Sequence, residues 1–212
     1  MSKLGVLRRH TFNPLGQGDL LAALILIGVT IVVGIGFLSL VYPSVSGLVG
    51  QNDLRTLLYN EQSVLVVYKE YENSTHTCIG IIRLEPEKTR YSLALIADER
   101  IDVLARDINA ISFPLSQSST PEPSGVRTIT ADRAYRIISG EHCPCFKGLS
   151  YLKVVYLPQD VADNYLSRGI PALTCLSKDI IRQYGIDVTL YVFVQVNTDF
   201  YEVGEVNFSV EE

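Results

Sequence analysis

From Leu20 to Tyr42 the chain reads LLAALILIGVTIVVGIGFLSLVY, about 23 residues without a charge. No other feature limits so strongly what the chain can fold into. As a helix rising about 1.5 Å per residue, the run is long enough for a hydrocarbon core about 30 Å thick. A buried helix of a water-soluble domain rarely runs so far without a polar face. The run is therefore read as a transmembrane helix over residues 19–43, with Tyr42 as an interfacial aromatic and Pro43 stopping or kinking the helix. Its apolar stretch is too long for a secretory signal peptide, and a small-x-small cleavage site is hard to place near Pro43.

The flanks orient this helix. Lys3, Arg8 and Arg9 precede it with no acid among residues 1–18, whereas Asp53 and Arg55 roughly cancel after it. The positive-inside rule then expects a cell-membrane protein, single-pass, with a cytoplasmic basic leader (1–18) and an extracellular C-terminal domain. The whole chain has 18 basic and 23 acidic residues. Without the three leader cations, 15 face 23, a net charge of −8 from Asp19 onward. So acidic a domain is not expected to bind nucleic acid through phosphate contacts. Membrane lipid is the partner that the apolar run implies.

The stretch Leu15-Gly-Gln-Gly-Asp-Leu-Leu-Ala-Ala-Leu-Ile-Leu-Ile-Gly-Val-Thr-Ile-Val-Val-Gly resembles the N-termini of archaeal type IV pilins and archaellins. The resemblance ends at about residue 50. In that family a prepilin-type peptidase removes a basic leader at a small residue and leaves an apolar helix at the new N-terminus. The resemblance implies a cut between Gly16 and Gln17, with Asp19 as the helix acid that pairs with the new amine. Pro14 and Leu15 stand where the family usually carries Lys or Arg. Cleavage after Gly18, or none, are the other readings. By this resemblance the chain is a structural subunit of a surface filament, self-associating through its apolar helix or joining other pilin-like subunits. Small residues such as Gly28 and Thr30 would let such helices approach closely. The alternative is an uncleaved, membrane-anchored binding module of the cell envelope.

Beyond the helix, residues 44–62 read as a helical stalk in which Leu54, Leu57 and Leu58 share a face and Asp53 caps the start. Residues 63–212 change to a period of two. Ser63–Glu72 and Thr77–Glu85 predict a hairpin about the turn residues Asn73-Ser-Thr-His. Further strands are expected over Tyr91–Ala97, Val126–Ile138, Tyr151–Leu157, Asp187–Val196 and Phe200–Val210, with a bulge at Gly204. Residues 98–113 fit a short amphipathic helix, Asp160–Arg168 a helical turn ended by Gly169, and Lys178–Tyr184 a helix with Ser177 as N-cap. The fold class is an N-terminal transmembrane α-helix followed by a β-rich extracytoplasmic domain, sandwich-like or α+β, of about six to eight strands.

Four cysteines, Cys78, Cys143, Cys145 and Cys175, predict two disulfides on the outer side. Cys143 and Cys145 have one residue between them and are not expected to pair with each other, so each would take Cys78 or Cys175. A weaker alternative is a zinc or copper site from His76, Cys78, His142, Cys143 and Cys145. Asn73-Ser-Thr75 and Asn207-Phe-Ser209 are glycosylation sequons, Asn73 at the expected hairpin tip. The sequence shows no G-x-S-x-G, Walker loop, H-E-x-x-H or dinucleotide fingerprint, so no enzyme and no cofactor is expected.

Overall fold

The computed structural model describes residues 22–33, 35, 53–87, 89–117, 125–138, 141–144, 146 and 148–209. The chain divides into two compact units, Met1–Arg55 and Thr56–Glu212.

In the first unit, residues 22–33 and 35 are helical. No helix among the described residues is long and apolar enough to cross a membrane. The expected transmembrane helix, and with it the single-pass placement between a cytoplasmic N-terminus and an extracellular domain, is corrected on this ground. Leu24, Ile25, Leu26, Ile27, Val29, Ile31, Val32, Val33 and Ile35 are each between 55% and 71% exposed. The one hydroxyl in the segment, on Thr30, donates to the Leu26 carbonyl oxygen at 2.7 Å, which hides its polarity against its own helix. A Cβ added at Gly28 would meet nothing within 4 Å.

The second unit is β-rich. A helix over residues 53–64 (α1) ends where β1 begins. Its buried positions are Leu58, Glu61 and Val64, three residues apart, so one stripe of the helix faces the domain. The expected stalk stopped at 62 and placed Leu57 on the packed face. Leu57 is instead exposed, and the last two turns of the helix belong to the domain's packing.

Strands β1 (Leu65–Glu72) and β2 (His76–Arg83) form the antiparallel hairpin that their alternation predicts, with β10 (Ala172–Ser177) and β5 (Ile111–Ser112) completing a four-stranded sheet in the order β1-β2-β10-β5. The second sheet has eight strands and curls into a half-barrel. It runs β6 (Val126–Thr130), β9 (Tyr151–Tyr156), β3 (Tyr91–Ala97), β11 (Val188–Val196), β12 (Asp199–Phe208), β7 (Ala134–Ile138), β8 (Glu141–Cys143), while β4 (Ile101–Asp102) pairs with β3. Its central strand β11 is buried on both faces. Val188, Leu190, Val192 and Val194 occupy one side. On the other, Tyr191 and Phe193 join Ala94, Ile96, Leu152, Val154, Phe146 and Phe200 in a compact core. Strands covered on both faces read as near-continuous apolar runs, and β11 does.

The bulge expected at Gly204 is present: Val192 pairs with Gly204 but Phe193 pairs with Glu202, so Val203 is the extra residue. Glycine is required here by close approach, because a Cβ would come within 2.9 Å of Val67 Cγ2 on β1. The two sheets meet at this contact.

Residues 98–113 do not form one helix. They divide into β4, α2 (Val103–Arg106), a 3-10 turn Ile108–Ala110 and β5. Two aspartates cause the break. Asp102 accepts the Ala105 N–H at 3.1 Å as N-cap of α2, and Asp107 accepts the Asn109 N–H at 2.9 Å, restarting the chain in a new turn. Short polar side chains that bond nearby backbone favour such starts over helix continuation. Further on come α3 (Gln159–Asn164), closed through a 3-10 turn by Gly169 at φ 67°, and α4 (Lys178–Arg182). Ser177 stands at the N-cap position of α4 but makes no side-chain cap bond.

Candidate functional site

The expected site residues are dispersed. Gly16, Gln17 and Asp19 lie outside the described residues, as does Cys145. Cys78 on β2 and Cys175 on β10 stand directly opposite in register and are joined by a disulfide. Cys143 is also disulfide-bonded, and no cysteine among the described residues is free. This corrects the expected pairing, in which Cys143 and Cys145 each bridged to one of the other two. Sequence separation misleads here, because residues 97 apart in the chain become direct neighbours across a sheet.

For the metal alternative, His76 and Cys78 lie on β2 and His142 and Cys143 on β8, strands of different sheets. Both described cysteines of that set are oxidised, and a disulfide sulfur has lost the thiolate that makes cysteine a strong ligand. Among the described residues no group of three or more His, Cys, Asp or Glu side chains could hold a metal ion.

What the fold does assemble is an open groove of about 390 Å³ over the β3–β4 turn and strands β7, β11 and β12. Arg136 from β7 is its centre. The guanidinium lies 4.8 Å from the Tyr191 ring centroid and 5.8 Å from that of Phe146. It pairs with Glu99 at 2.8 Å and more loosely with Glu202 at 3.6 Å and Glu205 at 3.7 Å. Asp98, Asp187, Thr189 and Asn207 complete the polar lining. Asp98 adopts φ 45°, a left-handed conformation that aspartate tolerates better than most residues, and its carbonyl accepts the Ile101 N–H at 3.0 Å to close the turn.

Beside the groove, the Glu202 carboxyl is buried and accepts the Ile137 N–H at 3.3 Å. Burial pushes its pKa up to about 7, helped by repulsion from Glu205 and opposed by the Ile137 N–H and Arg136. The opposition is weak because 3.6 Å is too long for a hydrogen bond, and the buried Arg136 Nε makes none. Chemically the groove is electronegative, with its one guanidinium already engaged. Its lining holds no His, Cys or Ser.

A second polar cluster is deeper. Glu61 of α1 accepts from Arg83 at 2.9 Å through one oxygen and from the Tyr91 hydroxyl at 2.7 Å through the other. Arg83 also pairs with Glu87 at 2.9 Å and donates to the Glu85 carbonyl oxygen. Burial raises the Tyr91 phenol above its ordinary range, and the Glu61 carboxylate adds to this. Glu61, Arg83 and Tyr91 are all buried, and they tie the helix to both sheets at once.

Sequence reasoning did not single out Arg136, Glu202, Glu61 or Arg83. One signal was present: Glu202 shares the inward alternation of Phe200, so a charge was written into a core-facing position.

No family model and no curated protein matches the sequence. A solved structure, the crystal structure of the human F-spondin reeler domain (fragment 1), is similar at 8% identity, covering 70% of this chain and 89% of that chain, with a TM-score of 0.29. A likeness that slight carries no argument. Of the envelope features expected from the sequence, a disulfide is present, whereas no transmembrane helix is found among the described residues and nothing supports an archaeal or type IV pilus assignment.

Proposed function

We propose that the chain is a non-enzymatic structural subunit that assembles through its N-terminal apolar helix and displays its disulfide-stapled β-domain. One observation carries this reading: the helical segment 22–33 is apolar on every side, and its large side chains are each more than half exposed. An apolar surface of that kind is stabilised by removal from water, at roughly 25 cal/mol per Å² buried. A second copy of the same helix suits it, since the segment carries no charge to repel its own copy and the open space at Gly28 lets two helices approach closely.

Sedimentation of the full-length chain in detergent-free buffer tests this. The expected result is a species much larger than a monomer, which Leu26→Lys with Val33→Lys converts to monomer while the β-sheet circular dichroism stays unchanged. A wild-type chain that stays monomeric at tens of micromolar would sink the assembly reading. The second reading, a binding module, would then take its place, favoured by the open groove about Arg136.

A further inference from the structure

The β1–β2 hairpin turns at Asn73-Ser-Thr-His76, where the Asn73 N–H donates to the His76 carbonyl oxygen at 2.9 Å. Within the turn the Asn73 carboxamide oxygen accepts the backbone N–H of Thr75 at 2.9 Å and that of His76 at 2.6 Å. Backbone N–H groups can only donate, so the atom they meet is fixed as Oδ1, and the amide nitrogen Nδ2 must point out of the turn. The Thr75 hydroxyl lies 3.1 Å from Oδ1 and 2.9 Å from His76 Nδ1. With a hydrogen on Nδ1, His76 donates to the Thr75 oxygen, and the hydroxyl proton is then directed to Oδ1. Three donors on Oδ1 draw electron density from the carboxamide and make its N–H more acidic. Asn73, Ser74 and Thr75 are all exposed.

The geometry points to Asn73 as a site of N-linked glycan attachment, and away from Asn207. The substrate class is a sugar activated as a lipid-linked diphosphate, delivered by a transferase that reads Asn-x-Ser/Thr. In the transfer Nδ2 bonds to the anomeric carbon, the bond from that carbon to the diphosphate oxygen breaks, the diphosphate leaves with the bonding pair, and one Nδ2 proton passes to a base of the transferase. Asn207 is exposed too, but its sequon is part of a ladder. Asn207 pairs with Thr189, whose hydroxyl donates to its Oδ1 at 2.6 Å, and the next residue, Phe208, is buried opposite Val188. Offering Asn207-Phe-Ser209 to an enzyme would pull the buried Phe208 side chain out of the core and into water. The oxidised Cys78 lies on the strand that follows the Asn73 turn, and disulfides belong to compartments outside the reducing cytosol, where such transfer takes place. The site does not depend on the assembly reading.

Peptide mapping by mass spectrometry of the full chain, purified from the cells that make it, tests the assignment. The expected result is a sugar-bearing peptide containing Asn73 and an unmodified one containing Asn207. Asn73→Gln should abolish the modification and Asn207→Gln should leave it. Thr75→Ala, which keeps both backbone bonds to Asn73 and so preserves the turn, should also abolish it, while Thr75→Ser should retain it. An unmodified Asn73 in a chain whose Cys78–Cys175 bridge is intact would overturn the proposal. So would a glycan found on Asn207 alone, or one that survives Thr75→Ala.

Discussion

Glu202 shows how a single carboxyl can set a pH dependence. Its folded pKa of about 7 lies above the ordinary carboxylate value of 4.5. The native state therefore holds a proton that the unfolded chain gives up, and stability falls as pH rises between these two values. Below the lower value both states are protonated and the effect is absent; above the upper one the full cost is present. The magnitude is about 3–4 kcal/mol, from roughly 1.4 kcal/mol per pKa unit. Glu202→Gln keeps an acceptor for the Ile137 N–H and removes the charge. The variant should match wild type in urea denaturation at pH 4 and exceed it at pH 8, and equal pH dependence in the two proteins would refute the assignment. The sequence placed this residue on an inward face, but its neighbours were not legible. Arg136 comes from a strand in a parallel pairing, β7 beside β12, and Glu99 from a turn that only the sheet brings near.

At the scale of elements, strands with strong alternation were legible and the weaker ones were not. Tyr91–Ala97 is found with the expected boundaries, and the β1–β2 hairpin follows the expected pattern, whereas β12 starts one residue before the expected Phe200, with Asp199 paired to Val196. The two-residue strands β4 and β5 exist only because longer partners hold them, so no local periodicity announces them. Gly204 marks the difference between a local and a tertiary reason. Its bulge is readable from the sequence, whereas its close approach to Val67 requires the second sheet. Gly204→Val should press the new side chain into β1 and cost about 1–3 kcal/mol, as overpacking does. Equilibrium denaturation measures this directly. The paired variant Gly204→Val with Val67→Ala should recover part of the loss, and no recovery would mean that the contact is not the cause.

Across the whole molecule, the Cys78–Cys175 bridge acts on the unfolded chain. It closes a loop spanning 97 positions, which in the chain-entropy model is worth about 4–5 kcal/mol. Replacing both cysteines by alanine should lower the unfolding free energy by that order, with the β-sheet spectrum retained at low denaturant. A change under about 1 kcal/mol would show that the unfolded chain is already constrained by other means. The bridge lies within one sheet, so it does not link the sheets to each other. That task falls to packing at Gly204 and to the buried Glu61–Arg83–Tyr91 cluster. The cluster has a mechanical consequence. Tension entering from the N-terminal side of the chain reaches α1 before any strand, and the first buried polar anchorage it meets is Glu61. Because that carboxylate grips both the end of β2 and the start of β3, a pull on the helix is divided between two sheets and loads their ends together. A β-domain loaded through α1 would thus resist being peeled apart one strand at a time, and would yield only when a buried ion pair is drawn into water.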